Sequence, residues 1–197
     1  MSWNNLELYI LYIVNTLYTN EMDNKELVQK AYTVCTLLED DGVFPNNNYL
    51  IMLVYKGALL LKPDDDAIVI EKLFENNRWS NSWKNGIFNF HHYHSNTHQV
   101  LGVFSGNAEL QIGGPQGVCL EVVRGDVIIL PAGVALKCLK SNADFSVIGA
   151  YSDGKIQDMN YGKDGERPRA DENIANVPLP EKDPVYGSEG PLRQNWI

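Results

Sequence analysis

The chain has 197 residues, of which 44% are hydrophobic, and a formal charge of −9 at pH 7. This length suits one folded domain that carries extensions. The negative charge argues against anionic partners, because phosphate groups would be repelled; the composition therefore excludes nucleic acid and anionic membranes as partners.

Residues 1–48 predict a helical N-terminal extension. Leu6, Ile10, Ile13 and Leu17 repeat at helical spacing, which is typical of an amphipathic helix. The run is too short to span a bilayer, and no cationic segment of the kind that opens a signal peptide precedes it. Met22 is an alternative to Met1 as the start of translation.

A second helix is predicted to begin at Asp23, which suits an N-cap position. Its apolar stripe consists of Leu27, Ala31, Val34, Cys35 and Leu38. Leu50 to Tyr55 then predict a strand, and a third helix begins at the aspartates 64–66, where the helix dipole favours negative charge.

From residue 86 to residue 151 the pattern changes to short apolar runs separated by glycine-rich turns. Strands are predicted at 107–112, 118–123, 127–130, 136–139 and 145–151. This spacing is typical of a β-sandwich or barrel. Residues 49–151 are therefore predicted to form a β-barrel domain with one inserted helix. Residues 152–197 lack periodicity but carry several aromatics. They are predicted to form an extended C-terminal strap over the barrel.

All four histidines lie between Gly86 and Gly106, in the run GIFNFHHYHSNTHQVLGVFSG. Phe88, Phe90, His92 and His94 alternate as in a strand, so their side chains should share one face. The polar residues 95–97 predict a turn, and Gln99 begins a returning strand. Such a hairpin brings His92, His94 and Gln99 together, as a site for a metal ion or a small ligand requires.

This run resembles the first signature motif of the cupin superfamily, with Gln99 in the place of a glutamate. The second motif is matched by Gly125 and by Pro131-Ala132-Gly133, but Leu136 stands where the motif has a histidine. The wider text, HHYHSNTHQVLGV with VILPAGV, resembles a bacterial single-domain family of cupins called YjlB-like. The resemblance implies a mainly β fold: a double-stranded β-helix (jelly-roll) barrel with N-terminal helices and the C-terminal strap.

In metal-bearing cupins, the two histidines of the first motif, its glutamate and the histidine of the second motif hold one divalent metal. Here His92 and His94 are retained, Gln99 supplies an uncharged amide, and Leu136 supplies no donor. The resemblance therefore implies at most a weak site for Fe, Mn, Ni or Zn at His92, His94 and Gln99, because an anionic ligand and an imidazole are missing. His91 and His98 point away from this face and are predicted to be surface or interface histidines.

Three functions remain open from the sequence. The first is a cupin that binds a small molecule at His92, His94 and Gln99, with contacts from Phe88, Phe90 and Leu136, and without strong metal binding. The second is a metal-dependent cupin enzyme, an oxygenase or isomerase, that uses His92, His94 and Gln99. The third is an architectural subunit.

Two further expectations concern assembly and location. A homodimer is expected because single-barrel cupins commonly pair. The three cysteines, Cys35, Cys119 and Cys138, form no Cys-x-x-Cys motif, so reduced thiols in a cytoplasmic protein are predicted.

Overall fold

The computed structural model describes residues 26–63, 65 and 67–197, whose regular secondary structure is mainly β-strand. The first predicted helix, the choice between Met1 and Met22, and two of the three aspartates at 64–66 lie outside the described residues. Along the described chain the elements are β1 (Tyr32–Leu38), β2 (Asn47–Lys56), α1 (Ile68–Asn76), β3 (Trp79–Asn85), β4 (Gln99–Ser105), β5 (Asn107–Ile112), β6 (Val118–Val123), β7 (Val127–Leu130), β8 (Leu136–Ser141), β9 (Ser146–Ser152), α2 (Arg169–Ala175) and α3 (Pro191–Asn195).

The strands form two antiparallel sheets that face each other. The larger sheet has the order β1-β2-β7-β4-β9-β3, and the smaller sheet has the order β6-β5-β8. Alternate side chains of both sheets meet in one core, in which Leu101 and Val103 of β4 join Leu110 and Ile112 of β5. The chain is therefore a double-stranded β-helix barrel, which confirms the predicted fold class and the five strands predicted between residues 107 and 151.

A second core covers the outer face of the larger sheet. Helix α1 packs Ile70, Leu73 and Phe74 against this face, as the sequence predicted for the third helix. The C-terminal strap, residues 152–197, covers the remainder with Leu192 and Trp196. The strap contains the short helices α2 and α3. In the described part of the chain, no helix is long and apolar enough to cross a membrane.

The predicted second helix is wrong over most of its length. Residues 32–38 form strand β1, which pairs antiparallel with β2, Val34 lying opposite Val54. The segment YTVCTLL is rich in the β-branched and aromatic residues that suit strands. Its apolar positions fit a helical stripe and a strand alternation equally, and pairing with β2 decides between them. The predicted domain boundary at residues 48 and 49 stays a prediction.

The predicted hairpin around the histidines is also wrong in its first arm. Residues 88–94 form no regular strand; two isolated bridges hold them, His92 to Leu136 and Tyr93 to Asn160. The returning strand is correct, since β4 begins at Gln99. Its neighbours are β7 and β9 rather than residues 88–94.

Candidate functional site

A cavity of about 220 Å³ is lined by residues of strands β3, β4, β8 and β9 and of the segments beside them. Five of the six predicted site residues line it: Phe88, His92, His94, Gln99 and Leu136. The other lining residues are Trp83, Lys84, Asn85, Gly86, Ile87, Leu101, Tyr151, Gln157 and Met159.

Phe90, the sixth predicted residue, is not part of the lining. Its ring stacks on that of Phe88, with 4.8 Å between the centroids, and also contacts His92 and Tyr161. Its prediction as a ligand contact depended on the strand alternation of residues 88–94, which the structure lacks.

The imidazoles of His92 and His94 lie side by side, with ring centroids 6.0 Å apart. The Nδ1–H group of His92 donates to the backbone carbonyl of Phe90 at 3.2 Å, and that of His94 donates to the carbonyl of Asp158. These bonds assign the proton to Nδ1 in both rings. The remaining nitrogen of each ring, Nε2, carries a lone pair and is the one available to the cavity.

Both rings are uncharged at neutral pH. Burial lowers the pKa of His94 to about 4, although its bond to the Asp158 carbonyl acts in the opposite direction. Burial also lowers the pKa of His92. The site therefore presents two hydrogen-bond acceptors and no positive charge from these imidazoles.

Gln99 and Tyr151 face each other across β4 and β9, where they are direct register partners. The Tyr151 hydroxyl accepts a hydrogen bond from the indole Nε1–H of Trp83 at 2.9 Å. The Tyr151 ring also stands edge-on to His94, with centroids 5.4 Å apart. Sequence reasoning missed Tyr151, because only the pairing of β4 with β9 places it beside the motif glutamine.

Leu136 occupies the position that the second cupin motif gives to a histidine. Its backbone forms both bridge hydrogen bonds with His92, at 2.9 and 3.1 Å, so the frame that would aim a histidine at the first motif is in place. The side chain is aliphatic and nearly fully buried.

The cavity does not fit a tightly bound divalent metal. The positions that carry the metal ligands in other cupins supply two imidazoles and one amide here, and the lining that the structure describes contains no carboxylate. Among the described residues, no group of three or more His, Cys, Asp or Glu side chains is arranged to hold a metal ion. A divalent ion would have to lose its hydration without receiving a compensating negative charge.

The prediction that His91 and His98 are surface or interface histidines is wrong for His98, because this residue is only 1% exposed in the single chain. Its Nδ1 accepts a hydrogen bond from the backbone N–H of Ala132 at 3.0 Å, and its ring packs on Trp196 with centroids 4.7 Å apart. His98 lies directly before β4 and is outside the cavity lining. His91 is half-buried against Phe44.

A protein of Bacillus subtilis (strain 168), described as "Uncharacterized protein YjlB", is 40% identical to the chain over 158 residues. The match covers 80% of this chain and 93% of the relative. The chain belongs to the YjlB family of cupins. No protein-family profile matches this YjlB-family chain.

The solved structures that are similar to this YjlB-family chain match it at low sequence identity. One is a protein with a double-stranded β-helix domain from Klebsiella pneumoniae, at 14% identity, 71% coverage of this chain, 89% of that chain and a TM-score of 0.34. Another is the vicilin of Solanum melongena, at 20% identity, 50% coverage of this chain and a TM-score of 0.34. The matched part spans only 34% of that vicilin.

Proposed function

We propose that this YjlB-family cupin binds a small, uncharged molecule in the cavity, without a tightly held metal ion. The observation that carries the proposal is the pair of buried, neutral imidazoles of His92 and His94. The backbone carbonyls of Phe90 and Asp158 fix both Nδ1–H groups, so both rings offer Nε2 as an acceptor. A ligand that donates two hydrogen bonds satisfies this arrangement, whereas an anion is repelled by the two lone pairs.

The size and lining of the cavity support a compact ligand. A volume of 220 Å³ corresponds to about seven water molecules at ~30 Å³ each. Ile87, Leu101, Leu136 and Met159 supply an apolar wall. A few polar groups set in an apolar wall are typical of sites that orient small molecules.

The metal-dependent alternative is tested by metal analysis of protein purified without a histidine tag. We expect far less than one equivalent of Fe, Mn, Ni or Zn. Near-stoichiometric metal that disappears in His92→Ala but persists in His91→Ala would favour the metal-dependent enzyme instead. His91 is the matched control because it lies in the same run of histidines but outside the cavity lining.

Binding itself is tested by a fragment screen that follows the imidazole signals of the full chain by NMR. We expect neutral fragments with N–H or O–H donors to shift the signals of His92 and His94. The signals of His98 should stay unchanged, because that ring is sealed beneath Trp196. Fragments that shift none of the cavity signals would favour the architectural role.

The homodimer and the cytoplasmic location stay predictions. Sedimentation at micromolar concentration tests the first, and a monomer would contradict it.

A further inference from the structure

The Tyr151 hydroxyl accepts a hydrogen bond from one neighbouring side chain. A hydroxyl has one proton to donate and two lone pairs. The indole of Trp83 donates to this oxygen at 2.9 Å. Within the described residues, no hydrogen bond that this hydroxyl donates is found.

The position of Trp83 depends on a glycine. Trp83 of β3 lies opposite Gly149 of β9, and a Cβ added at Gly149 would lie 2.3 Å from the indole ring. The ring therefore lies directly on the backbone of β9, where its Nε1–H reaches Tyr151, two residues further along the same strand. Trp83 is in this sense a positioning residue for the hydroxyl.

The Tyr151 hydroxyl carries its proton at neutral pH, as a phenol ordinarily does. Because Trp83 donates to its oxygen and the structure shows no acceptor for its proton among the described residues, the O–H group is left to donate into the cavity that Tyr151 lines. The cavity thus combines one committed donor, Tyr151, with two committed acceptors, the Nε2 atoms of His92 and His94.

We propose that Tyr151 is a specificity-determining residue and that the ligand carries a carboxamide or a similar group that joins a carbonyl to an N–H donor. The carbonyl accepts from Tyr151, and the N–H group donates to the imidazole pair. This inference rests on the small-molecule binding proposed above and adds the chemical class of the ligand.

A carboxylate of the same shape is disfavoured. It offers only acceptors, so it would face the lone pairs of His92 and His94 unless one ring were protonated. In both rings the Nδ1–H group is already bonded to a backbone carbonyl, so Nε2 presents its lone pair to the carboxylate. Lys84, the one cationic residue among the described residues of the lining, holds its ammonium group over the ring of Phe104, 4.2 Å from the centroid. Benzamide and benzoate, which have the same shape and differ in this group alone, are therefore a sharp pair of probes.

The experiment titrates benzamide and benzoate separately into the ¹⁵N-labelled full chain and follows the indole N–H signal of Trp83, assigned with Trp83→Phe, and the imidazole signals of His94. We expect benzamide to bind at least about tenfold more tightly than benzoate. Tyr151→Phe should weaken benzamide binding about tenfold, the value of one lost hydrogen bond. Tyr49→Phe, at a tyrosine that is 90% exposed, is the matched control and should change neither affinity.

A second readout tests the orientation of the hydroxyl without a ligand. The indole signal of Trp83 should move upfield in Tyr151→Phe and stay in place in Tyr49→Phe, because only the first change removes its acceptor. An unmoved signal in folded Tyr151→Phe would overturn the assigned hydrogen bond.

The outcomes separate this inference from the proposed function. If both probes shift the His94 signals with equal affinity, or benzamide binding is unchanged in Tyr151→Phe, the carboxamide inference falls and small-molecule binding stands. If neither probe shifts the cavity signals at millimolar concentration, both fall. The comparison of the two probes on the unmodified chain decides the question even if Tyr151→Phe fails to fold.

Discussion

His94 and His98 are close in sequence and lie in two different regions, the cavity and the contact between the barrel and the strap. Both are buried and both have a lowered pKa, to about 4 and about 3 respectively, with burial as the main cause. The backbone carbonyl of Asp158 binds Nδ1 of His94, which leaves Nε2 for the cavity. The backbone N–H of Ala132 binds Nδ1 of His98, and Nε2 is enclosed against the backbone of Pro178.

Burial and a lowered pKa therefore do not distinguish a binding histidine from a packing histidine. The distinction lies in which nitrogen the backbone occupies and what the other nitrogen faces. Substitutions in the cavity region should mainly change ligand binding. Substitutions in the contact between the barrel and the strap should mainly change the free energy of unfolding. Substitutions in each region test this difference.

The largest effect is expected in the strap region, for Asp183→Ala. Asp183 is fully buried and accepts hydrogen bonds from the Tyr55 hydroxyl and from the backbone N–H groups of Val185, Tyr186 and Leu192. The substitution leaves the Tyr55 hydroxyl and the N–H groups of Val185 and Tyr186 without this acceptor, whereas the Leu192 N–H group keeps its second acceptor, the Tyr55 oxygen. The free energy of unfolding should therefore fall by about 3–5 kcal/mol. Urea denaturation measures it. Glu181→Ala, at an exposed carboxylate in the same segment, is the control, and a similar loss there would contradict the assignment.

In the cavity region, restoring the cupin ligands should create a metal site. Gln99→Glu combined with Leu136→His supplies the missing carboxylate and imidazole on a frame that already pairs Leu136 with His92. Affinity for Zn or Mn should rise about 100-fold or more over the unmodified chain, as measured by calorimetry. Gln99→Glu alone is the control and should gain much less. A double variant without any gain would mean that position 136 does not face the site.

The two histidines can be compared directly by substitution with alanine. His98→Ala removes the acceptor of the Ala132 N–H group and leaves a void beneath Trp196, so the free energy of unfolding should fall by about 2–3 kcal/mol. His94→Ala enlarges an existing cavity and frees the Asp158 carbonyl, which water entering the cavity can reach. It should therefore cost only about 1 kcal/mol, while abolishing ligand binding. Equal losses of stability would remove the difference between the two regions.

The buried histidines should also make the stability of the protein depend on pH. An unfolded histidine has a pKa of about 6.5, above the native values, so between about pH 6.5 and pH 4 the unfolded chain binds protons that the native chain does not. Acidification in this window should therefore lower the free energy of unfolding by about 1.4 kcal/mol per pH unit for each such histidine. Denaturation at several pH values gives the slope of the free energy of unfolding against pH. This slope should be shallower by that amount in His98→Gln than in the unmodified chain. An unchanged slope would show that His98 does not titrate differently on folding.

The barrel could be predicted from the sequence because its strands alternate and its turns carry glycine and proline at the cupin spacing. Strand β1 could not be predicted, because the apolar residues of YTVCTLL fit both the helical period and the strand period. Only the pairing with β2 decides between the two. Residues 88–94 alternate like a strand but bond to Leu136 and Asn160, which are distant in sequence.

The candidate site was predictable only in part. His92, His94, Gln99 and Leu136 followed from the motif spacing. Tyr151 is brought to the cavity by strand register alone, and the burial of His98 depends on Trp196, far along the chain. No local sequence pattern indicates either the position of Tyr151 or the burial of His98.

Trp196 also constrains when the protein can finish folding. Its indole N–H donates to the carbonyl of Ile51, 145 residues earlier, and its ring covers His98. During synthesis, the part of the outer face that Trp196 covers stays exposed until residue 196 has left the ribosome, although helix α1 can already cover its own part of that face. A nascent chain that stalls shortly before that point would expose an apolar surface to chaperones, although every strand of the barrel had already been synthesised.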